Sequence, residues 1–451
     1  MYKKQTLCFG VGKSGKAAAA LLRRLGEFAV LYTTEMQDFS EIQSSEGLED
    51  IDVVCGDIAC DPTMMDRFDE IVLSPGIPLD NPMVEKFKAA GKKMIGEIEL
   101  GYRYNKGKIV AITGTNGKTT TTTLVGEIMK RKYSDVKVVG NIGIPFTDTA
   151  DKTTEDSVTV IEVSSFQLET IEEFHADVTA ILNVTPDHLN RHHTMEKYAE
   201  CKEKVTNKAT ASDICVLNAD NSYTADFALR CPATPKMFSA EKELSEGIFL
   251  RGKDIILREN GTEKKLMNVK EMNLVGQCNA ENVMAAILIG LAMDVELSDI
   301  IDTVKNFKAV EHRIEYTATK RGVRFYNDSK GTNPDAAIQA VKAMDAPTCL
   351  IGGGYDKGSE YDEWIESFDG KIKKLVLIGE TADKIALCAA NCGFKDVMYA
   401  DSLEEAIDIC YENALPGENV LLSPACASWG MFDNFEQRGN IFKEYVLKLK
   451  E

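Results

Sequence analysis

Histidine and tryptophan are scarce in this chain of 451 residues, with five of the first and two of the second. So few imidazoles leave a zinc framework short of nitrogen ligands, and no C-x-x-C pair replaces them. The 12 cysteines are scattered, apart from Cys388 and Cys392 in C-A-A-N-C, and read as reduced thiols of a cytosolic protein. No apolar window approaches the length of a membrane span. The start, M-Y-K-K-Q-T-L-C-F-G-V-G-K, has too short an apolar run for a signal peptide. A basic excess is also missing: 52 Lys and Arg stand against 71 Asp and Glu, a formal charge of -19. That excludes a general nucleic-acid binder. An anionic ligand would have to be met by locally concentrated cations and N–H groups, against the global field. Low-complexity tracts and internal repeats are absent as well.

Length alone suggests two to four domains, and a hydrophobic content of 44% is ample for sizeable cores. Short apolar runs alternate with helical patterns, the signature of βα units and parallel sheets. The pattern restarts three times, at T-L-C-F-G-V-G from Thr6, at K-I-V-A-I-T-G from Lys108, and at G-V-R-F-Y-N-D from Gly322. The expected fold class is therefore α/β, with three domains each built on a mostly parallel sheet. We expect a Rossmann-like domain over 1–96, a P-loop ATPase-like domain over 97–309 and a second Rossmann-like domain over 310–451.

Two glycine turns carry the first chemical signals. Gly10-x-Gly12-x-x-Gly15 follows a strand and opens a helix, with Glu35 about 20 residues on, as in a dinucleotide fold. It fits a nicotinamide site, another phosphate at a helix N-terminus, or simple helix-on-strand packing. The stretch I-T-G-T-N-G-K-T-T, 112–120, is a stronger signal, although Ile112 stands where a phosphate loop has its first glycine. Its glycines let backbone N–H groups face an anion; Lys118 would reach terminal phosphates, and Thr119 or Thr120 would reach Mg²⁺. The row of threonines 119–123 is poor helix material and is expected to face a ligand. Glu162 interrupts an apolar strand, where metal ligation or a buried salt bridge would explain it. Asp187 and His188 follow Pro186 at the same sheet edge, while His192 and His193 read as solvated loop residues.

In combination these motifs resemble the Mur ligases, ATP-dependent amino-acid-adding enzymes of peptidoglycan synthesis. The resemblance spans nearly the whole chain: S-P-G-I at 74–77, T-G-T-N-G-K-T-T at 113–120, G-N-I-G at 140–143 and E-V-S-S-F-Q-L at 162–168. It continues through D-H-L at 187–189, G-Q-C-N-A-E-N at 276–282, H-R-I-E at 312–315, N-D-S-K-G-T-N at 327–333, L-S-P-A-C-A-S-W at 422–429 and F-E-Q-R-G-N at 435–440. The missing first glycine is a feature of that family. The versions of S-S-F-Q-L, N-D-S-K-x-T-N and F-E-Q-R-G are those of the branch that adds D-glutamate to UDP-N-acetylmuramoyl-L-alanine, and the D-N-P-R of the diamino-acid branch is absent.

The resemblance implies site residues. Gly114, Thr115, Asn116, Gly117, Lys118, Thr119 and Thr120 would hold ATP phosphates, with Asn279, Asn282, Arg313 and Asp328 around the nucleotide. Thr119, Glu162, His188 and Lys202 would meet Mg²⁺, two ions in all, with Lys118, His188 and Lys202 catalytic. Lys202 matches the family's carbamylated lysine, although its spacing alone reads as a surface helix lysine. Lys13, Ser14, Thr33, Ser74, Gly76, Asn141 and Ser164 would contact the UDP substrate; the uracil contact could come from Tyr32, Thr33 or Thr34. Lys330, Thr332, Lys357, Ser428 and Phe435 would face D-glutamate. Asn190 stands where the family more often has aspartate. A monomeric cytoplasmic ligase forming an amide through an acyl phosphate is implied, with small-molecule partners and no nucleic acid or membrane. The rival readings are a family ligase for another amino acid, a nicotinamide oxidoreductase and a non-catalytic nucleotide-binding module.

Overall fold

The computed structural model describes residues 5–36, 38–58 and 61–450. It holds three sheets in two compact bodies, one running up to Met267 with Val283–Thr303 added, the other Asn268–Asn282 with Val304 onward. The first two restarts of the sequence pattern each begin a sheet, while the third, at Gly322, falls on the second strand of its sheet, after an antiparallel strand over Glu315–Lys320.

The first sheet is fully parallel. Its strands are β1 (Gln5–Phe9), β2 (Ala29–Thr33), β3 (Asp52–Cys55), β4 (Phe68–Leu73) and β5 (Lys93–Gly96), in the order β3-β2-β1-β4-β5. The order reverses between β1 and β4, the crevice where open α/β sheets take ligands. Gly10 and Gly15 make that turn possible. Gly10 has φ +116°, and a Cβ on Gly15 would lie 1.8 Å from the Gly10 carbonyl oxygen. The helix Lys13–Arg24 can therefore start hard against the strand.

The second sheet has nine strands: β6 (Lys108–Thr113), β7 (Val136–Gly140), β8 (Val158–Glu162), β9 (Val178–Ile181), β10 (Ile214–Asn218), β11 (Thr234–Ser239), β12 (Gly247–Arg251), β13 (Asp254–Glu259) and β14 (Thr262–Asn268). Their order is β14-β13-β12-β11-β10-β9-β6-β8-β7. From β7 to β12 neighbours run parallel, and the β6, β8 and β9 sequences are near-continuous apolar runs because both faces are covered. β12 and β13 form an antiparallel hairpin through Gly252 at φ +64°. Asn260-Gly261, both at positive φ, turns the chain into β14.

Just past β5, the helix Glu97–Tyr104 buries two carboxylates. Glu99 accepts the backbone N–H groups of Glu172, Glu173 and Phe174 at 2.8–3.1 Å. Glu97 accepts from the N–H and hydroxyl of Thr147 at 2.7 and 2.8 Å. Both acids fasten loops that have no regular ladder of their own.

The third sheet contains β15 (Glu315–Lys320), β16 (Val323–Asn327), β17 (Thr348–Gly353), β18 (Ile372–Ile378), β19 (Val397–Tyr399) and β20 (Asn419–Leu422), ordered β15-β16-β20-β17-β18-β19. Only β15 runs antiparallel to its neighbour. One face buries Trp364, Phe368 and Leu375, the other Phe325, Ile407 and Phe442.

Candidate active site

Three adjacent parallel strands end together. The loop after β6, the acid closing β8 and the segment after β9 meet at the C-terminal edge of the second sheet, because β6 lies between β8 and β9. Ile112 is a fully buried β6 residue in register with Glu162 and Ala180, so the position of the missing glycine belongs to the sheet. The curl comes from Gly114 at φ +148° and Gly117 at φ +84°. Asn183 braces it: its Oδ1 accepts the N–H groups of Thr115 and Asn116 at 3.1 and 2.8 Å, and its Nδ2 donates to the Asn116 carbonyl at 3.1 Å. Those two N–H groups therefore hold the loop's shape, and the anion-facing end passes to the start of the helix Lys118–Met129. Lys118 Nζ donates to the carbonyls of Gly114 and Thr115 at 2.9 and 2.8 Å, folded back over its own loop.

The threonine row does not face a ligand as a block. Successive helical residues turn by about 100°, so Thr121 and Thr122 are buried in packing and Thr123 donates back to the Thr119 carbonyl at 2.8 Å. Thr119 and Thr120, in the first turn, are both buried at the loop.

Glu162 is 2% exposed. Its Oε1 accepts from Asn141 Nδ2 at 2.8 Å, while its Oε2 is buried with no hydrogen-bond partner. An ionised oxygen in that state is costly unless a cation is expected there. Lys202, on the helix Met195–Glu203, is 1% exposed, and this corrects its reading as a surface lysine. Its Nζ donates to the Gly114 carbonyl at 2.8 Å and sits 4.4 Å above the Tyr198 ring. Burial first, then the charge of Lys118, pushes the Lys202 amine well below the usual lysine range. His188 takes left-handed backbone, φ +53°, and stacks on Phe166 at 4.8 Å. Burial lowers its basicity; Asp187, 3.4 Å away, opposes that, and Lys118 and Lys202 add to it. Lys118, Glu162, His188 and Lys202 thus gather around one loop.

One residue that the sequence reading passed over connects this cluster to the S-P-G-I turn. Arg191 donates to the carbonyls of Pro75 and Ile77 at 2.9 and 3.2 Å and pairs through two nitrogens with Glu169. His192 is buried: its Nε2 lies 2.9 Å from Ser165 Oγ and its ring packs beside Tyr198. That corrects its reading as a solvated residue, since the short helical turn Leu189–His192 rotates the ring inward. Ser74 Oγ is buried without a partner, directly over Gly10 and Gly15. Lys13 is exposed and Ser14 half-buried at the start of their helix; Thr33 ends β2, Gly76 is exposed, and Ser164 caps the turn Ser165–Leu168. Tyr32 leaves the uracil alternatives. It is fully buried against Phe9 and Phe87, its hydroxyl donates to the Gly56 carbonyl at 2.8 Å, and burial pushes its pKa up to about 12.

In the second body, Asn279 and Asn282 are buried and bonded to each other at 3.2 Å. Asp328 accepts from Ser423 Oγ at 2.7 Å and from the Ile314 N–H at 3.2 Å; burial pushes its pKa up to about 7 despite the Arg313 charge. Lys330 Nζ stands 5.2 Å from the Phe435 ring centroid and Lys357 Nζ 4.8 Å from that of Trp429. The Tyr355 N–H donates to the Ala427 carbonyl at 2.9 Å, bringing the Lys357 loop against the segment with buried Ser428. Thr332 N–H donates to the Lys330 carbonyl at 2.9 Å. Arg438, also passed over, is fully buried and braces this region through Ser329 and the Cys426 carbonyl. Its one sequence signal was an arginine on the inward face of an amphipathic helix.

Comparison with known proteins gives three family matches: "Mur ligase MurD-like, N-terminal domain" over 4–96, "Mur ligase middle domain" over 112–290, and "Mur ligase, glutamate ligase domain" over 312–426. The chain is 52% identical over 450 residues to a UDP-N-acetylmuramoylalanine–D-glutamate ligase of Lachnoclostridium phytofermentans, covering 99% of both chains. The protein of the same name from Clostridioides difficile is 44% identical, again with 99% of each chain covered. Among solved structures, a pseudomurein peptide ligase type C from Methanothermus fervidus superposes with a TM-score of 0.60 at 19% identity, covering 99% of this chain and 100% of that one. The UDP-N-acetylmuramate-alanine ligase of Thermotoga maritima does so with a TM-score of 0.60 at 16% identity, covering 98% and 99%. Both share the fold.

Proposed function

The chain belongs to the Mur ligase family, and from that premise we propose that it joins D-glutamate to UDP-N-acetylmuramoyl-L-alanine, converting ATP to ADP and phosphate. The gathering of Lys118, Glu162, His188 and Lys202 around one phosphate loop carries the chemistry. The choice of D-glutamate rests on the near-complete likeness to ligases of that name. We read three working domains, 1–96, 97–309 and 310–451, and a cytoplasmic monomer.

In the first step, a carboxylate oxygen of the alanyl end attacks the γ-phosphorus and the bond to the β-phosphate oxygen breaks, releasing ADP. In the second, the D-glutamate amine attacks the acyl carbon, the carbon–oxygen bond to phosphate breaks, and the amine loses a proton. Both steps crowd anions together, so positioned cations and N–H donors supply most of the rate. Lys118 would exchange its two loop carbonyls for phosphate oxygens. Its neighbours Gly114, Thr115, Asn116, Gly117, Thr119 and Thr120 shape the cradle, with Asn279, Asn282, Arg313 and Asp328 around the nucleotide. His188 or a carboxylate beside the bound Mg²⁺ would take the amine proton.

The residues fit Mg²⁺. Glu162 presents an unsatisfied oxygen, and the Thr119 hydroxyl and His188 complete a ligand set around the loop. Bound Mg²⁺, two ions in this reading, would offset the charge of the reacting phosphate. Lys202 fits carbamylation: burial lowers its basicity, and once deprotonated the amine adds to CO₂ and releases a proton, giving a carboxylate in place of a cation. Lys13, Ser14, Thr33, Ser74, Gly76, Asn141 and Ser164 would hold the UDP substrate. Lys330, Thr332, Lys357, Ser428 and Phe435 would hold D-glutamate, whose two carboxylates need cations and hydroxyls.

The test is phosphate release from ATP and Mg²⁺ with UDP-N-acetylmuramoyl-L-alanine, offering D-glutamate, L-glutamate, L-alanine and diaminopimelate in parallel. Release with D-glutamate alone, lost in Lys118→Ala, is expected. Release with another amino acid would overturn the substrate assignment, and release with none would overturn the activity.

A further inference from the structure

The closest cysteine spacing in the sequence, C-A-A-N-C, has no part in the ligase chemistry. Cys388 lies in the last turn of the helix Ala382–Asn391, and Cys392 is its C-cap, donating its N–H to the Cys388 carbonyl at 2.9 Å. Four residues apart on one helical face, the two thiols are neighbours. A third group comes from elsewhere in the fold. Asp362, first residue of the helix Asp362–Glu366, offers a carboxylate oxygen, and this oxygen and both sulfurs all lie within 4.8 Å of one another. The histidine count of the sequence argued against zinc; tertiary structure adds a ligand that no local spacing announces.

The chemistry of the trio is specific. Asp362 and Cys392 flank the Cys388 thiol within that distance. Three groups that become anions by losing protons thus share one patch, which a cation would stabilise. Two thiolates suit a borderline-soft metal and not Mg²⁺. Around zinc, ligand sulfurs stand roughly 3.8 Å apart, given Zn–S bonds of about 2.3 Å. The 4.8 Å bound on the trio is compatible with that spacing, and with Asp362 and Cys392 exposed and Cys388 half-buried, water can fill a fourth position. Cys215, Cys349 and Cys410, by contrast, are sealed in the cores and offer a metal no entry.

We propose that Cys388, Cys392 and Asp362 form a surface site for one borderline-soft divalent cation of the zinc class, separate from the ligase chemistry. Binding displaces the thiol protons to solvent. The probe is Cd²⁺, titrated into full-length protein kept reduced by a phosphine and saturated with Mg²⁺, following the ultraviolet thiolate-to-cadmium charge-transfer band. One equivalent is expected to saturate the band, and Zn²⁺ to displace it. Cys388→Ser and Cys392→Ser should each weaken binding at least tenfold, and Asp362→Asn about tenfold with the band retained. A band that does not saturate, or one that persists in the Cys388→Ser/Cys392→Ser double variant, would overturn the site. A band insensitive to Asp362→Asn would overturn the three-ligand set. Ligase activity is measured alongside and should be unchanged in all variants, so failure of this site is distinguishable from failure of the ligase reading.

Discussion

Glu99 and Glu162 are buried carboxylates in the same body of the molecule, yet their surroundings are opposite. Glu99 has both oxygens engaged, by three backbone N–H groups of the turn 172–174. Glu162 has one oxygen held by Asn141 and the other held by nothing. Burial alone does not separate an acid that fastens a loop from one that awaits a ligand; the count of satisfied lone pairs does. The two kinds should respond oppositely to mutation, one losing stability and the other losing rate.

The largest expected effect tests the second kind. Glu162→Gln keeps the size and the Asn141 contact but removes the charge, and kcat for phosphate release should fall roughly 10²–10³-fold. Thermal unfolding should stay where it is or shift upward, since an uncompensated buried charge has gone. A variant with unchanged kcat and a lowered transition would put Glu162 in the class of Glu99.

Lys202 sharpens the same contrast from the cationic side. Its buried amine faces Lys118, donates to the Gly114 carbonyl and sits over the Tyr198 ring. With ¹³C-labelled bicarbonate, the protein should show one carbamate carbon resonance, absent in Lys202→Arg. Lys202→Arg should also cost roughly 10²-fold in kcat, because a guanidinium cannot become an anion. A labelled protein without that resonance would leave Lys202 a plain neutral amine.

How much of this was legible beforehand depends on how local each signal is. The phosphate loop declared itself because its strand, glycines and lysine lie within a dozen residues. Several parallel strands in each sheet, β1, β6 and β16 among them, were visible as apolar runs. Lys202 was not, because the carbonyl and ring that bury it come from residues brought over by the fold. His192 was misread for the same reason, and Tyr32 could not be separated from Thr33 and Thr34: a polar tip in sequence says nothing about which way the ring turns. Asn183, Arg191 and Arg438 act as braces on backbone groups far along the chain, and no spacing rule reaches that far. The β12–β14 extension left a readable trace in Asn260-Gly261, a hairpin turn signal masked by the expectation of further βα units.

Glu99→Gln is the matched test of the first kind. An amide offers one acceptor oxygen where the carboxylate offers two charged ones, and its NH₂ would face N–H donors. The loss should be about 1.5–3 kcal/mol of stability, seen as a lowered thermal transition, with kcat per folded molecule unchanged. A fall in kcat without a change in stability would erase the distinction between the two acids.

The smallest effect on rate is expected at Glu97, which lies between these extremes. Its Oε1 takes both donors of Thr147, while its Oε2 is buried without a partner. Burial pushes its pKa up to about 7 from a usual 4.5. The folded protein therefore binds more protons than the unfolded chain between those values. Stability must fall as pH rises from about 4.5 to 7, by up to ~1.4 kcal/mol per pH unit for one group, and level off above. Asp328, also raised to about 7, adds a slope of the same sign in the other body, so the wild-type curve alone cannot assign it. The difference between wild type and Glu97→Gln can. Denaturant midpoints across that range should converge at acid pH and separate as pH approaches 7, with the variant the more stable. Parallel curves would mean that Glu97 is ionised in the fold and that its second oxygen has found a partner in solution.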